Sequence, residues 1–148
     1  MDKNKTALFI GHRDCYELSV DDIIPAIQEA IEYGTTDFLN GGQGLFDHLC
    51  AKAINALKKQ YPYIKIHLIA PYPSLKAEDE SLFDDISLYA PERYIEKVGY
   101  RRAIPQRNEW MIDNASVAIC YVKHPSTGSY KTMQKAQTKG LKVINVIG

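Results

Sequence analysis

The sequence predicts an α/β protein with a Rossmann-like three-layer α/β/α arrangement around a mostly parallel central sheet. Segments with strand character alternate with segments of helical periodicity along the whole chain, which is the pattern of repeated βαβ units. The strand segments, such as Thr6-Ala7-Leu8-Phe9-Ile10 and Val117-Ala118-Ile119-Cys120-Tyr121-Val122, are continuous apolar runs rather than in-out alternations. Strands of that kind are buried on both faces, as in parallel sheets covered by helices. At 148 residues, with no internal repeat, low-complexity tract or linker, residues 1–148 read as a single domain able to bury a real core.

Each element follows from local pattern. Thr6–Ile10 is the first strand, ended by Gly11. Asp21 and Asp22 place acids and a cap ahead of Ile23, Ile24, Ile27, Ala30 and Ile31, whose spacing is helical. Asp37–Asn40 is the second strand, stopped by Gly41-Gly42. The next helix is the clearest, because Phe46, Leu49, Cys50, Ala53, Ile54 and Leu57 form one apolar stripe. Lys65–Ala70 is the third strand, closed by Pro71-Tyr72-Pro73. From Ser74 to about Pro91 the chain is polar and acidic and reads as an irregular loop, with a brief strand expected at Arg93–Val98. Pro105 suits the first turn of a helix running to about Ala115, with Ile104, Met111, Ile112 and Ala115 inward. A strand at 117–122, a helix from Ser129 to Lys139 capped by Gly140, and a last strand Val143–Val146 complete the chain.

Composition narrows the function. The 18 basic and 18 acidic residues cancel, so no overall field gathers long polyanions, and nucleic acid is not an expected partner. Cys15, Cys50 and Cys120 are odd in number and widely spaced, which argues against a disulfide framework. Cys15 could be exposed, but no adjacent residue is an evident base for it. The histidines and cysteines lack zinc-type spacing, so neither a metal nor a cofactor is expected. No apolar run approaches membrane-spanning length and no signal core follows Met1, so a cytoplasmic protein is expected.

In doubly wound sheets ligands bind at the carboxyl ends of strands where strand order reverses. Three segments lie at such ends: Gly11-His12-Arg13-Asp14-Cys15, Asn40-Gly41-Gly42-Gln43-Gly44, and Lys123 to Ser129. If the first and fifth strands are neighbours, all three converge. Gly41, Gly42 and Gly44 could let a phosphate or ribose approach the backbone, although a strand-to-helix turn often needs glycine for conformation alone. Ser126, Thr127, Gly128 and Ser129 cap a helix and offer N–H groups to an anion. Arg107 could clamp phosphate as a fork, Asn108 and Asp47 could orient ribose or base, and Gly11, His12 and Arg13 could touch the same ligand. Asp47 and Arg107 are the catalytic candidates if the protein is an enzyme, with Asp14 and Glu109 as further acids. Lys123, Lys131, Lys135 and Lys139 form a modest basic edge. Tyr61, Tyr63, Tyr89 and Tyr94 could serve a homodimer contact.

With these residues the chain resembles the SLOG superfamily, the Rossmann-like group that contains the LOG cytokinin-activating hydrolases, the DNA-processing protein DprA and the YpsA-like proteins. The resemblance is closest to the YpsA-like branch. It rests on Phe9-Ile10-Gly11-His12-Arg13, on Gly41-Gly42-Gln43-Gly44-Leu45-Phe46-Asp47, on Ile64 to Pro71, on Arg107-Asn108 with Met111-Ile112-Asp113, and on Ser126-Thr127-Gly128-Ser129-Tyr130-Lys131-Thr132. It implies a pocket for a small nucleotide-derived ligand such as AMP or ADP-ribose, in a sensor, carrier or sequestering protein. LOG-type nucleoside monophosphate hydrolysis is the first alternative. Thr132 stands where that family's glutamate would, and a threonine cannot supply a carboxylate's charge to an oxocarbenium-like transition state. A DprA-like single-strand nucleic-acid binder is the second alternative.

Overall fold

A computed structural model describes residues 1–71, 80–89 and 100–147. Its strands are β1 (Thr6–Gly11), β2 (Asp37–Asn40), β3 (Lys65–Ala70), β4 (Asp85–Leu88), β5 (Val117–Tyr121) and β6 (Lys142–Asn145), and its helices are α1 (Val20–Glu32), α2 (Leu45–Leu57), α3 (Tyr100–Asp113) and α4 (Gly128–Thr138). The strands form one six-stranded sheet in the order β4-β3-β2-β1-β5-β6, with every pairing parallel. Strand order therefore reverses at β1, whose neighbours are β2 on one side and β5 on the other. Gly11, the last residue of β1, pairs with Tyr121, the last of β5.

Both faces of the central strands are covered, which is why β1 and β5 are buried along almost their whole length. Ala7, Phe9, Phe38, Ile66, Val117 and Ile119 pack against α1 and α2, whose buried side chains include Ile23, Ile27, Cys50 and Ile54. The alternate residues Leu8, Ile10, Leu39, Ala118 and Cys120 face Met111 and Ile112 of α3 and Ala136 of α4. Full burial of each leucine, isoleucine, valine, phenylalanine or methionine side chain among them contributes about 1.5–3 kcal/mol. At the start of α1, the Ser19 N–H donates to Asp22 Oδ2 at 2.9 Å, so the cap falls at Ser19, two residues before the expected acids.

Two expected boundaries change. The acidic stretch read as a loop contains β4, an edge strand whose residues are all exposed. Its mixed Asp85-Ile86-Ser87-Leu88 carries no apolar run, so local pattern could not reveal it. Asp84, just before it, and Asp85, its first residue, are anchors: Asp84 accepts from the Ile66 N–H at 2.8 Å and from Lys58 Nζ at 2.6 Å. His67 sits between Asp85, 2.8 Å from Nδ1, and Asp37, 2.7 Å from Nε2, joining β2, β3 and β4 at the amino ends of the strands. The helix α3 begins at Tyr100 and carries Pro105 inside it rather than in its first turn. The strand expected at Arg93–Val98 and the residue Tyr94 lie outside the described residues.

Tyr61 is partly buried and packs edge-on against Tyr63, and Tyr89 packs against Trp110, so of these rings only Tyr63 is largely open to solvent. Among the described residues no helix is long and apolar enough to cross a membrane.

Candidate nucleic-acid interface

An open cleft of about 710 Å³ lies over the carboxyl ends of the strands where their order reverses. The three turns singled out in the sequence meet there. Gly11, His12, Arg13 and Asp14 come from the end of β1; Gly41, Gln43 and Asp47 come from the turn into α2; and Thr127, Gly128 and Ser129 come from the turn into α4. Arg107 and Asn108 of α3 form part of its floor. Gly42, Gly44 and Ser126 do not line it, and the exposed Glu109 faces a separate groove between α3 and α4.

The turns differ in what their backbones have left to offer. Around the glycine turn three of the donors are already engaged. The Gly42 N–H donates to Asn40 Oδ1 at 2.8 Å, the Gln43 N–H to Asp47 Oδ2 at 3.0 Å, and the Leu45 N–H to the Arg13 carbonyl at 2.9 Å. Gly44, at φ +89°, lies so close to the Arg13 backbone that an added Cβ would sit 2.6 Å from its Cα. This glycine serves chain packing, not ligand approach.

The turn into α4 is open. Thr127 caps the helix by accepting from the Tyr130 N–H at 3.2 Å, which leaves the Gly128 and Ser129 N–H groups of the first turn facing the cleft at the positive end of the helix dipole. Ser129 Oγ donates to the Gly11 carbonyl at 2.7 Å and fixes this helix end against β1. Thr132 donates its hydroxyl to the Gly128 carbonyl at 3.0 Å, so the side chain at the glutamate position is engaged with its own helix.

Arg107 is a structural keystone. It is 2% exposed. Nη1 donates to the carbonyls of Gly41 and Ile69, each at 2.8 Å, Nη2 to Gln43 Oε1 at 2.7 Å, and Nε to Asn108 Oδ1 at 2.8 Å. The expected phosphate fork is thus a clamp on the scaffold, with Asn108 as one of its acceptors. Gln43, which sequence reasoning passed over, completes that clamp.

Burial pushes the Asp47 carboxyl up to about 6, against the opposing pull of the Gln43 N–H and the Arg107 charge. A carboxyl whose folded value lies above its ordinary 3.8 favours the protonated state in the fold, so its contribution to stability is lost as pH rises from below 3.8 to above 6. Asp47→Asn should therefore be more stable than the parent at neutral pH, by on the order of 1–3 kcal/mol. The gap should close in acid, as chemical denaturation across a pH series would show.

The three cysteines offer no nucleophile. All are buried, Cys15 included, contrary to the exposure considered for it, and burial raises the thiols of Cys15 and Cys120 to about 11 and about 12 and that of Cys50 well upward.

The charges at the cleft are unevenly sorted. Arg13, Lys131 and Lys135 line it with no ion pair among the described residues, whereas Lys139 is paired with Asp113 at 2.6 Å and Lys123 lies over the Tyr121 ring. With Arg107 beneath, cations outnumber the carboxylates Asp14 and Asp47. The expected basic edge therefore divides, and its cleft half is Lys131 and Lys135.

A parallel sheet covered by helices on both faces, with its cleft at the strand reversal, defines a Rossmann-like α/β protein. Solved structures of DNA processing protein A share this fold. DNA processing protein A (DprA) from Streptococcus pneumoniae superimposes with a TM-score of 0.72 at 17% identity, over 99% of this chain and 51% of that one. DNA processing protein A from Helicobacter pylori, described by its single-stranded DNA binding mode, does so with a TM-score of 0.55 at 20% identity, over 91% and 63% of the two chains. The chain thus spans about half to two thirds of the proteins it resembles. No family model and no curated protein matches it.

This comparison corrects two expectations, a small nucleotide-derived ligand and the exclusion of nucleic acid, because the matching folds are those of DNA-processing proteins, one of them described as binding single-stranded DNA. Whole-chain charge misled here. A net charge of zero conceals a cleft in which cations predominate.

Proposed function

We propose that this chain binds single-stranded nucleic acid, DNA foremost, by seating the sugar-phosphate backbone in the cleft where β1 meets β5. The observation that carries this reading is the cleft itself: three cations without ion pairs among the described residues line it, Arg13 after β1, Lys131 in the first turns of α4 and Lys135 in its last turn, together with the open amino end of that helix. The fold shared with DNA processing protein A supports it. Arg13, Lys131 and Lys135 neutralise phosphates, and the Gly128 and Ser129 N–H groups bond phosphate oxygens. Charges and main-chain N–H groups engage phosphate and carry no base information, so recognition is led by phosphates and tolerant of sequence. This reading keeps the chain in the SLOG superfamily, in its YpsA-like branch, on the order of its motifs, with residues 1–148 as one such domain.

The test is fluorescence anisotropy with labelled oligo-dT over a range of salt concentrations. Arg13→Ala, Lys131→Ala and Lys135→Ala should each weaken binding several-fold and lower the salt slope by about 0.7 for every phosphate no longer neutralised. Lys59→Ala, two residues past the end of α2, should change neither. Absence of salt-dependent binding by the parent protein, or a triple variant that binds as well as the parent, would overturn the reading.

A further inference from the structure

We propose that His12 is a neutral hydrogen-bond donor locked in one tautomer, whose Nδ1–H, together with the amino end of α4, holds one backbone phosphate of a bound strand. The inference rests on the function proposed above and assigns a phosphate-reading role to one residue of that cleft. Its starting point is a single bond: the Lys123 backbone N–H donates to His12 Nε2 at 2.7 Å. An amide nitrogen can only donate, so Nε2 must present a lone pair, and the ring proton resides on Nδ1. Because the donor is backbone, it cannot reverse its role as a hydroxyl or a side-chain amide can.

The remaining ring nitrogen is open. His12 is 7% exposed and lines the cleft, and Nδ1 has no hydrogen-bond partner among the described residues. Nδ1 is not sealed from solvent, so a ligand oxygen entering the cleft can reach it. The register with α4 is fixed, since Ser129 donates its hydroxyl to the carbonyl of Gly11, the residue immediately before His12. His12, Gly128 and Ser129 line the same cleft and offer it three donors, the Nδ1–H and two backbone N–H groups. None carries a formal charge, and an oxyanion is the acceptor that such a set suits.

The surroundings keep the ring neutral. Burial, followed by the nearby His124 ring at 5.0 Å between centroids, holds His12 below its ordinary 6.5, and Glu17 opposes this. Tyr121 packs edge-on against the ring. Protonating Nε2 would set an N–H against the Lys123 N–H and break the bond that positions the loop into α4. His12 therefore acts through geometry, whereas Arg13, Lys131 and Lys135 act through charge.

The experiment is nitrogen-15 NMR of the histidine rings in the parent protein, free and saturated with oligo-dT, alongside anisotropy of His12→Ala. The expected result is a protonated Nδ1 and an unprotonated Nε2 in the free protein at neutral pH, with the Nδ1–H resonance moving downfield on binding. His12→Ala should bind about ten-fold or more weakly with an unchanged salt slope, unlike the lysine variants. A proton on Nε2, or an Nδ1–H that oligo-dT leaves unmoved while it binds, overturns the inference and leaves the function standing. Failure of the parent protein to bind oligo-dT overturns both. The spectra of the parent protein decide the matter even if His12→Ala does not fold.

Discussion

Arg107→Met should lower the free energy of unfolding by about 3–5 kcal/mol, a loss large enough to threaten the fold of a domain this size. Methionine fills much of the same volume, so the loss isolates the guanidinium. Without it the Gly41 and Ile69 carbonyls, Gln43 Oε1 and Asn108 Oδ1 each lose a donor, in a region where the arginine is 2% exposed. A buried acceptor stripped of its partner costs about 1–3 kcal/mol, and water entering through the cleft compensates some of them but not all. The same substitution removes the cation that helps keep Asp47 ionised, so the Asp47 carboxyl should rise above about 6. Arg107→Lys should recover little, because an ammonium cannot span two backbone carbonyls and two side-chain oxygens with a planar fork. Urea denaturation of the parent and both variants measures the effect. A loss below about 1 kcal/mol for Arg107→Met would show that the clamp does not hold α3, β3 and the turn after β2 together.

How far this architecture was legible in the sequence depends on which interactions local pattern encodes. Strands buried on both faces, such as β1 and β5, announce themselves because every position is apolar, and α2 because its stripe is regular. The reversal of order at β1 brings the three turns to one cleft, and their residue types already pointed there. The strand β4 was hidden because it lies at the sheet edge with all its residues exposed, held by Asp84, Asp85 and His67 rather than by apolar burial. Pro105 masked the first turn of α3, since proline is favoured at a helix start and gives no sign that the helix began earlier.

At the site, sequence could not separate the two kinds of turn. Gly41 to Gly44 and Thr127 to Ser129 both read as backbone open to a phosphate. Only the folded positions of Asn40, Asp47 and Arg13 show that the Gly42, Gln43 and Leu45 N–H groups of the first are taken, while those of Gly128 and Ser129 in the second stand at an open helix end. Arg107 misled for the same reason. Its charge is visible in the sequence, but the four acceptors it faces come from Gly41, Gln43, Ile69 and Asn108, three of them far away in the chain. Net charge failed because it averages over the molecule what a ligand meets in one cleft.

Gly11→Ala carries the second large effect, because the end of β1 has no room for a methyl group. A Cβ at residue 11 would lie 2.2 Å from two ring carbons of Phe46 and 2.8 Å from its Cβ. Phe46 cannot swing aside. It is 1% exposed, stacked on Tyr121 at 6.2 Å between centroids and edge-on to Phe9 at 6.3 Å. Nor can the strand retreat, since Gly11 is held in register with Tyr121 and its carbonyl accepts from Ser129. Overpacking of this severity costs about 3 kcal/mol or more, and relief by shifting β1 would carry His12 and the amino end of α4 with it. The nucleic-acid binding proposed above should therefore fall together with stability. The discriminating comparison is the double variant with Phe46→Ala, which alone should cost about 3–5 kcal/mol. If the clash is the cause, the two losses should fall short of additive by at least about 1 kcal/mol, since the cavity left by the ring accepts the new methyl group. Strict additivity, or a Gly11→Ala protein as stable as its parent, would show that the contact with Phe46 is not what requires glycine at this position.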